Sequence, residues 1–233
     1  MPFVRHLLVV LAGLLILTGA TAPSLTKDAP RPRVEIRTEL GTMVVELYNE
    51  TPQHRDNFLK LVREGKFDSL LWHRVIPAFM IQGGDPESRR AVTGVTLGEG
   101  SLGYTVPAEF NPAFVHTKGA MSAARTSDEV NPEKASSASQ FYVVQGKGWQ
   151  PNELQMLLDR KNRGVTPPKY SYTPEQIAEY AKHGGAPHLD GEYTVFGRVV
   201  EGLDVIDKIA AVPCDQRDRP LNDIRMWMRE LKP

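Results

Sequence analysis

Two polar side chains with chemistry to offer, Arg74 and Gln82, are threaded through the apolar stretch Trp72-His73-Arg74-Val75-Ile76-Pro77-Ala78-Phe79-Met80-Ile81-Gln82-Gly83-Gly84-Asp85. A guanidinium keeps its proton in any protein and presents five N–H donors with no acceptor, while a primary amide offers both. Such a pair can steady an electron-rich atom without moving a proton. Among side chains like Phe79 and Met80 the cation is costly to bury unless something accepts from it. Residue chemistry leaves two sources for that acceptor: a bound substrate, or a carboxylate on a solvated face with Gln82 serving a loop.

These residues have to be positioned by a strand, a corner and a second strand. Leu70 to Ile76 and Phe79 to Gln82 are short β-type runs joined by Pro77-Ala78, and Gly83-Gly84-Asp85-Pro86 turns the chain after the second. Alternation predicts Met80 and Gln82 on one face, and Arg74 on a face with Trp72 and Ile76. Upstream, Val34 to Arg37 and Thr42 to Tyr48 alternate around Leu40-Gly41 and predict a hairpin. Thr51-Pro52 then predicts a capped helix whose stripe is Phe58, Leu59, Leu61 and Val62 and which Gly65 ends, with His54 and Asp56 on its solvated face. Tyr104 to Phe110 reads as extended, and Ile224 to Met228 as a last strand.

The stretch from Trp72 to Asp85 resembles the signature of the cyclophilin peptidyl-prolyl isomerases, with Trp72 where the family usually has Phe. Two further matches follow in order. Lys118 to Arg125 with Ser139 to Val144 resembles the family's Gly-x-(Leu/Val)-Ser-Met-Ala and Ser-Gln-Phe-(Phe/Tyr)-Ile elements, and Pro187 to Val199 resembles its Leu-Asp-Gly and Val-Phe-Gly element. The resemblance covers about Val34 to Leu231. It implies a mainly β fold: a closed antiparallel eight-stranded barrel with two capping helices, Glu201 to Ile209 supplying the closing one.

It also implies roles. Arg74 and Gln82 would be catalytic, and Phe79, Met80, Tyr142 and Leu189 would clamp a proline ring. Ala124 would line a substrate groove, Gln140 would stand between groove and pocket, and Arg125, commonly Asn in the family, would meet substrate through its backbone. His188 stands where many members carry Trp, and Tyr193 replaces the pocket His, which keeps a planar ring with a polar tip. The implied reaction, cis/trans exchange of an X-Pro bond, breaks no bond to hydrogen, so Glu109 and His116, otherwise a candidate acid/base pair, are read as structural. No cofactor is implied. His183 and His188 lack a carboxylate or Cys at ligand spacing, so no metal is expected, and Cys214, alone beside Pro213, is read as structural.

Lys+Arg and Asp+Glu are balanced at 28 each in 233 residues, so nothing draws the chain to nucleic acid or to an anionic membrane. Hydrophobic content of 41% is ordinary for a globular protein, and 19 Gly with 18 Pro fit a turn-rich β fold. At the amino terminus, Arg5 and His6 precede the apolar run Leu7 to Leu17 and the small residues Thr18 to Ala22. That arrangement predicts a signal peptide over 1–22 and an exported, periplasmic protein, membrane-bound only if the leader stays uncleaved. Residues 23–33, with three prolines, read as a flexible tether to a domain over 34–233. An insertion over about 146–186 carries Leu154, Leu157 and Leu158 in one helical stripe, then Ile177, Tyr180 and Ala181 in a second after Thr173-Pro174-Glu175, which predicts a helical hairpin. The expected partners are proline-containing polypeptides, met by a monomer. A holdase that binds proline segments without turning them over, or a scaffold working through the insertion, are the rival readings.

Overall fold

The structure, a computed structural model, describes residues 29–232. The predicted signal segment and residues 23–28 of the tether lie outside the described residues. In chain order the elements are β1 (Arg33–Thr38), β2 (Gly41–Leu47), α1 (Pro52–Arg63), β3 (Leu70–Ile76), β4 (Met80–Gly83), β5 (Thr105–Val106), β6 (Ala120–Ala123), β7 (Ser136–Ser137), β8 (Phe141–Val144), α2 (Pro151–Lys161), α3 (Pro174–His183), β9 (Val195–Glu201), α4 (Leu203–Ala210) and β10 (Arg225–Leu231).

Eight strands close into an antiparallel barrel in the order β1-β10-β3-β4-β8-β6-β9-β2, while β5 and β7 pair separately. Alternation sorts the side chains: Ile36, Val45, Ile81, Met121, Val143 and Met226 are fully buried in the interior. Helix α1 adds Phe58, Leu59, Leu61 and Val62 to that core, and α4 adds Val205, Ile206, Ile209 and Ala210. Phe58 is the hub of the aromatic packing, with Phe67, Phe141 and Phe196 rings at 4.8, 5.7 and 5.5 Å. A second apolar cluster, including Met80, Tyr142, Val144 and Val195, packs on the barrel's outer face with Phe79, Leu189 and Tyr193 against it. This outer cluster carries the site.

Three local expectations change. Between β3 and β4, Trp72 pairs with Gly83 but Arg74 pairs with Gln82, so two residues of β3 oppose one of β4 and His73 is the extra residue of a β-bulge. The bulge resets the alternation: Trp72 points into the core at 1% exposed, whereas Arg74 points outward, so the two do not share a face. At α1, Thr51 makes no side-chain cap bond. The Glu109 carboxylate accepts instead from the backbone N–H groups of Gln53 (3.1 Å) and His54 (2.9 Å). His54 is correspondingly not solvated; it is buried between Glu109 (2.7 Å) and Ser136 Oγ (2.9 Å). Finally, the end of the tether lies against the barrel: Arg31 meets Glu50 at 3.0 Å and covers the Tyr48 ring at 4.7 Å.

The insertion folds as the expected helical hairpin. Leu154, Leu157 and Leu158 are buried under α2, but of the second stripe only Tyr180 is. Thr173 and Gln176 form a reciprocal capping box at the start of α3, and Gly184 ends the helix with φ 76°. The returning chain seats Gly185 so tightly between two segments that a Cβ there would come within 2.3 Å of the His116 carbonyl oxygen.

Candidate active site

Register sets the row that carries the polar chemistry. Arg74 pairs with Gln82, and Gln82 pairs with Tyr142, so three adjacent strands bring these side chains side by side on the outer face. Phe79 is placed by the corner before β4, where Ala78 takes a left-handed φ of 60° and its N–H donates to Gln145 Oε1 at 2.7 Å. The Phe79 carbonyl accepts from the N–H groups of Gln145 and Gly146, both at 3.0 Å, which ties the corner to the end of β8.

Arg74, Phe79, Met80, Gln82, Ala124, Arg125, Tyr142, Leu189 and Tyr193 enclose a cavity of about 150 Å³. That lies below the roughly 300–1,000 Å³ of sites for drug-sized ligands and suits a small ring. None of these nine residues is a carboxylate, histidine or cysteine. The cavity therefore offers hydrogen-bond donors and apolar walls, and no base or thiol nucleophile.

A model of the family described as "Cyclophilin type peptidyl-prolyl cis-trans isomerase/CLD" matches residues 33–230. The chain belongs to the cyclophilin-type peptidyl-prolyl isomerases. A candidate peptidyl-prolyl cis-trans isomerase of Staphylococcus aureus (strain USA300) is 32% identical over 209 residues, covering 88% of this chain and 95% of that one. A candidate bifunctional phosphatase/peptidyl-prolyl cis-trans isomerase of Streptococcus pyogenes is 36% identical over 197 residues; the match takes in 83% of this chain but 37% of that larger protein. The crystal structure of a cyclophilin type isomerase from Cryptosporidium parvum superposes with a TM-score of 0.60 over 87% of this chain and 99% of that one, at 20% identity, and so shares the fold.

Within this cyclophilin domain Arg74 is not buried as the sequence predicts. Its side chain is 45% exposed, with Nη1 donating to Gln82 Oε1 at 3.3 Å and Nε 3.7 Å from Asp218 Oδ2. The bulge is the reason, because it turns the residue to the rim of the cavity. The guanidinium thus has a loose surface carboxylate on one side and the open cavity on the other.

A groove of about 450 Å³ adjoins the cavity, and Gln82, Ala124 and Arg125 line both. Gln140 lines the groove alone. Its amide nitrogen donates to the carbonyls of Gly98 and Gly100, each at 2.9 Å, which leaves its oxygen to accept from Gln82 Nε2 at 3.2 Å. That in turn presents the Gln82 oxygen to Arg74, so two backbone carbonyls orient a chain of amides ending at the guanidinium.

The Arg125 side chain is held within the fold: its guanidinium is 5% exposed, donates from Nε to the Glu192 carbonyl at 2.9 Å and lies 4.4 Å over the Tyr193 ring. His188 does not line the cavity; its ring tilts against Phe79 at 5.4 Å from outside. Glu109 and His116 do not form a pair, since each has a different partner. His116 Nδ1 is 2.7 Å from Asp190 Oδ1 and its Nε2 is 3.0 Å from the Tyr142 hydroxyl. His183 sits 3.8 Å from Glu179, and no metal-ligand cluster occurs among the described residues.

Sequence reasoning missed Asp218 and the Asp190 carboxylate. Asp190 is 6% exposed and accepts four hydrogen bonds. Burial alone would raise its pKa, but the bonds from His116, Tyr180 and Tyr172 outweigh that and hold it below the usual carboxylate value. Its place beside Leu189 in the third motif was the available signal.

Proposed function

We propose that the chain speeds cis/trans exchange of X-Pro bonds in exported proteins, with Arg74 as the group that stabilises the twisted amide. The family supplies the activity; the carrying observation for the residue roles is the Arg74, Gln82 and Tyr142 row beside a ring-sized cavity that holds no base.

Rotation about an X-Pro bond is slow because amide resonance must be broken, at a barrier of about 20 kcal/mol. Bringing it to about 10² or 10³ per second needs roughly 5.5 to 7 kcal/mol of differential stabilisation. As the bond turns out of plane the prolyl nitrogen recovers its lone pair and becomes an acceptor. A guanidinium N–H from Arg74 then favours the twisted state over both planar ones, which is the requirement for catalysis. Phe79, Met80, Tyr142 and Leu189 hold the ring while the preceding carbonyl swings. Substrate would also cover the exposed flank of Arg74, and exclusion of water strengthens the bond it makes. Gln82 keeps the guanidinium in place and is free to bond the substrate backbone.

Arg74→Ala is expected to lower kcat/KM on a short X-Pro peptide by about a hundredfold, with peptide affinity changed far less. A wild-type protein that binds the peptide without accelerating exchange would instead establish the holdase reading. Export rests on Arg5, His6 and the run Leu7 to Leu17. Fractionation of cells producing the full chain should place the domain outside the cytoplasm, as a monomer freed of its leader or held at the membrane by it; a cytoplasmic pool with residue 1 intact would refute export.

A further inference from the structure

The helical insertion grips the far side of the proline pocket. Tyr180, fully buried on α3, donates its hydroxyl to Asp190 Oδ2 at 2.6 Å, and Tyr172, on the approach to α3, donates to the same oxygen at 2.7 Å. The other carboxylate oxygen accepts from the His116 N–H at 2.8 Å and faces its Nδ1 at 2.7 Å. From there the chain of contacts reaches the pocket wall, because His116 Nε2 meets the Tyr142 hydroxyl.

Asp190 also follows Leu189 directly in the chain, so whatever fixes Asp190 fixes the residue that closes the other side of the pocket. The backbone here is held from the insertion too: Lys161 Nζ donates to the Asp190 carbonyl at 2.6 Å, and the Tyr172 hydroxyl lies 3.2 Å from the Pro187 carbonyl. A flap that merely covered the barrel would need none of these bonds. They run from insertion residues to the Asp190 carboxylate and to backbone carbonyls on either side of Leu189, and they reach Tyr142 only through His116.

We infer that the 146–186 insertion is a positioning element of the active site, in which Tyr172 and Tyr180 set the seats of Tyr142 and Leu189 through Asp190. The inference takes its pocket from the isomerase reading. Because Tyr142 and Leu189 clamp the ring in the planar and twisted states alike, loosening them weakens binding of both, which appears in KM and leaves kcat in place. Loss of Arg74 has the opposite signature, so the two roles separate kinetically.

The test uses the full chain, the variants Tyr172→Phe, Tyr180→Phe and their combination, and Met156→Ala on the exposed outside of α2 as a control. For a short Ala-Pro-containing peptide, kcat and KM come from exchange rates, and Kd comes from an NMR titration that needs no turnover. The double variant is expected to raise KM and Kd by about fivefold to tenfold with kcat within about twofold, the single variants lying between it and the wild type. Met156→Ala should match the wild type. Unchanged KM and Kd in a folded double variant, even with a lowered Tm, would overturn the inference and leave the insertion a stabilising flap. Should the double variant not fold, the single variants decide by the same criterion. A wild type without turnover whose Kd still moves with the tyrosines would count against the isomerase reading and for the positioning role.

Discussion

His73, the extra residue of the β3 bulge, is 3% exposed and neither of its ring nitrogens has a hydrogen-bond partner. Burial pushes its pKa down to about 4, with the Asp85 carboxylate opposing only in part. Between that value and the unfolded pKa of about 6.5 the unfolded chain binds the proton and the folded one does not, so stability rises with pH across this window. The contribution is complete above about 6.5 and lost as pH falls through about 4, to a total of about 3 kcal/mol. Thermal melts from pH 7 to 4 should therefore show a steeper acid loss for the wild type than for His73→Phe; equal slopes would clear His73 of the effect. The same bulge explains what could be read at this scale and what could not. Arg74 and Gln82 stand out in sequence because a cation and an amide interrupt an apolar run, but strict alternation cannot reveal an extra residue, so the burial of Arg74 was misjudged. Asp218 had no local signal at all, since it reaches Arg74 from a loop far along the chain.

Elements were legible where their signals are local. The first hairpin, the apolar stripes of α1 and α2, and the Thr173 cap all lie within a few residues of what they specify. The cap of α1 was not legible, because its acceptor comes from Glu109, 55 residues beyond His54. Burial works to raise the pKa of this carboxylate, but the bonds from the His54 ring and from the two backbone amides win and hold it low. Glu109→Gln is expected to cost about 1–2 kcal/mol, or about 3–6 °C in Tm for a domain of this size. Exchange activity should survive, as no proton moves in the reaction. A large fall in kcat at unchanged Tm would instead make Glu109 part of the chemistry.

At the scale of the molecule, composition and turn residues pointed to β structure, and three motifs in order pointed to the barrel. Strand order could not be reached from periodicity, because most neighbours in the barrel are not neighbours in sequence. The insertion was visible as two helical stripes, yet its hold on Asp190 was not, since a tyrosine on an amphipathic helix reads as packing until its hydroxyl is seen to have a destination. Closure of the eight-stranded barrel has one more consequence. An open sheet has rim strands whose unpaired amides recruit any extended chain that comes near, and a folding helper built that way could template the aggregates it works among. Here the barrel strands close into a ring, so the barrel itself offers no rim strand for a passing extended chain to join.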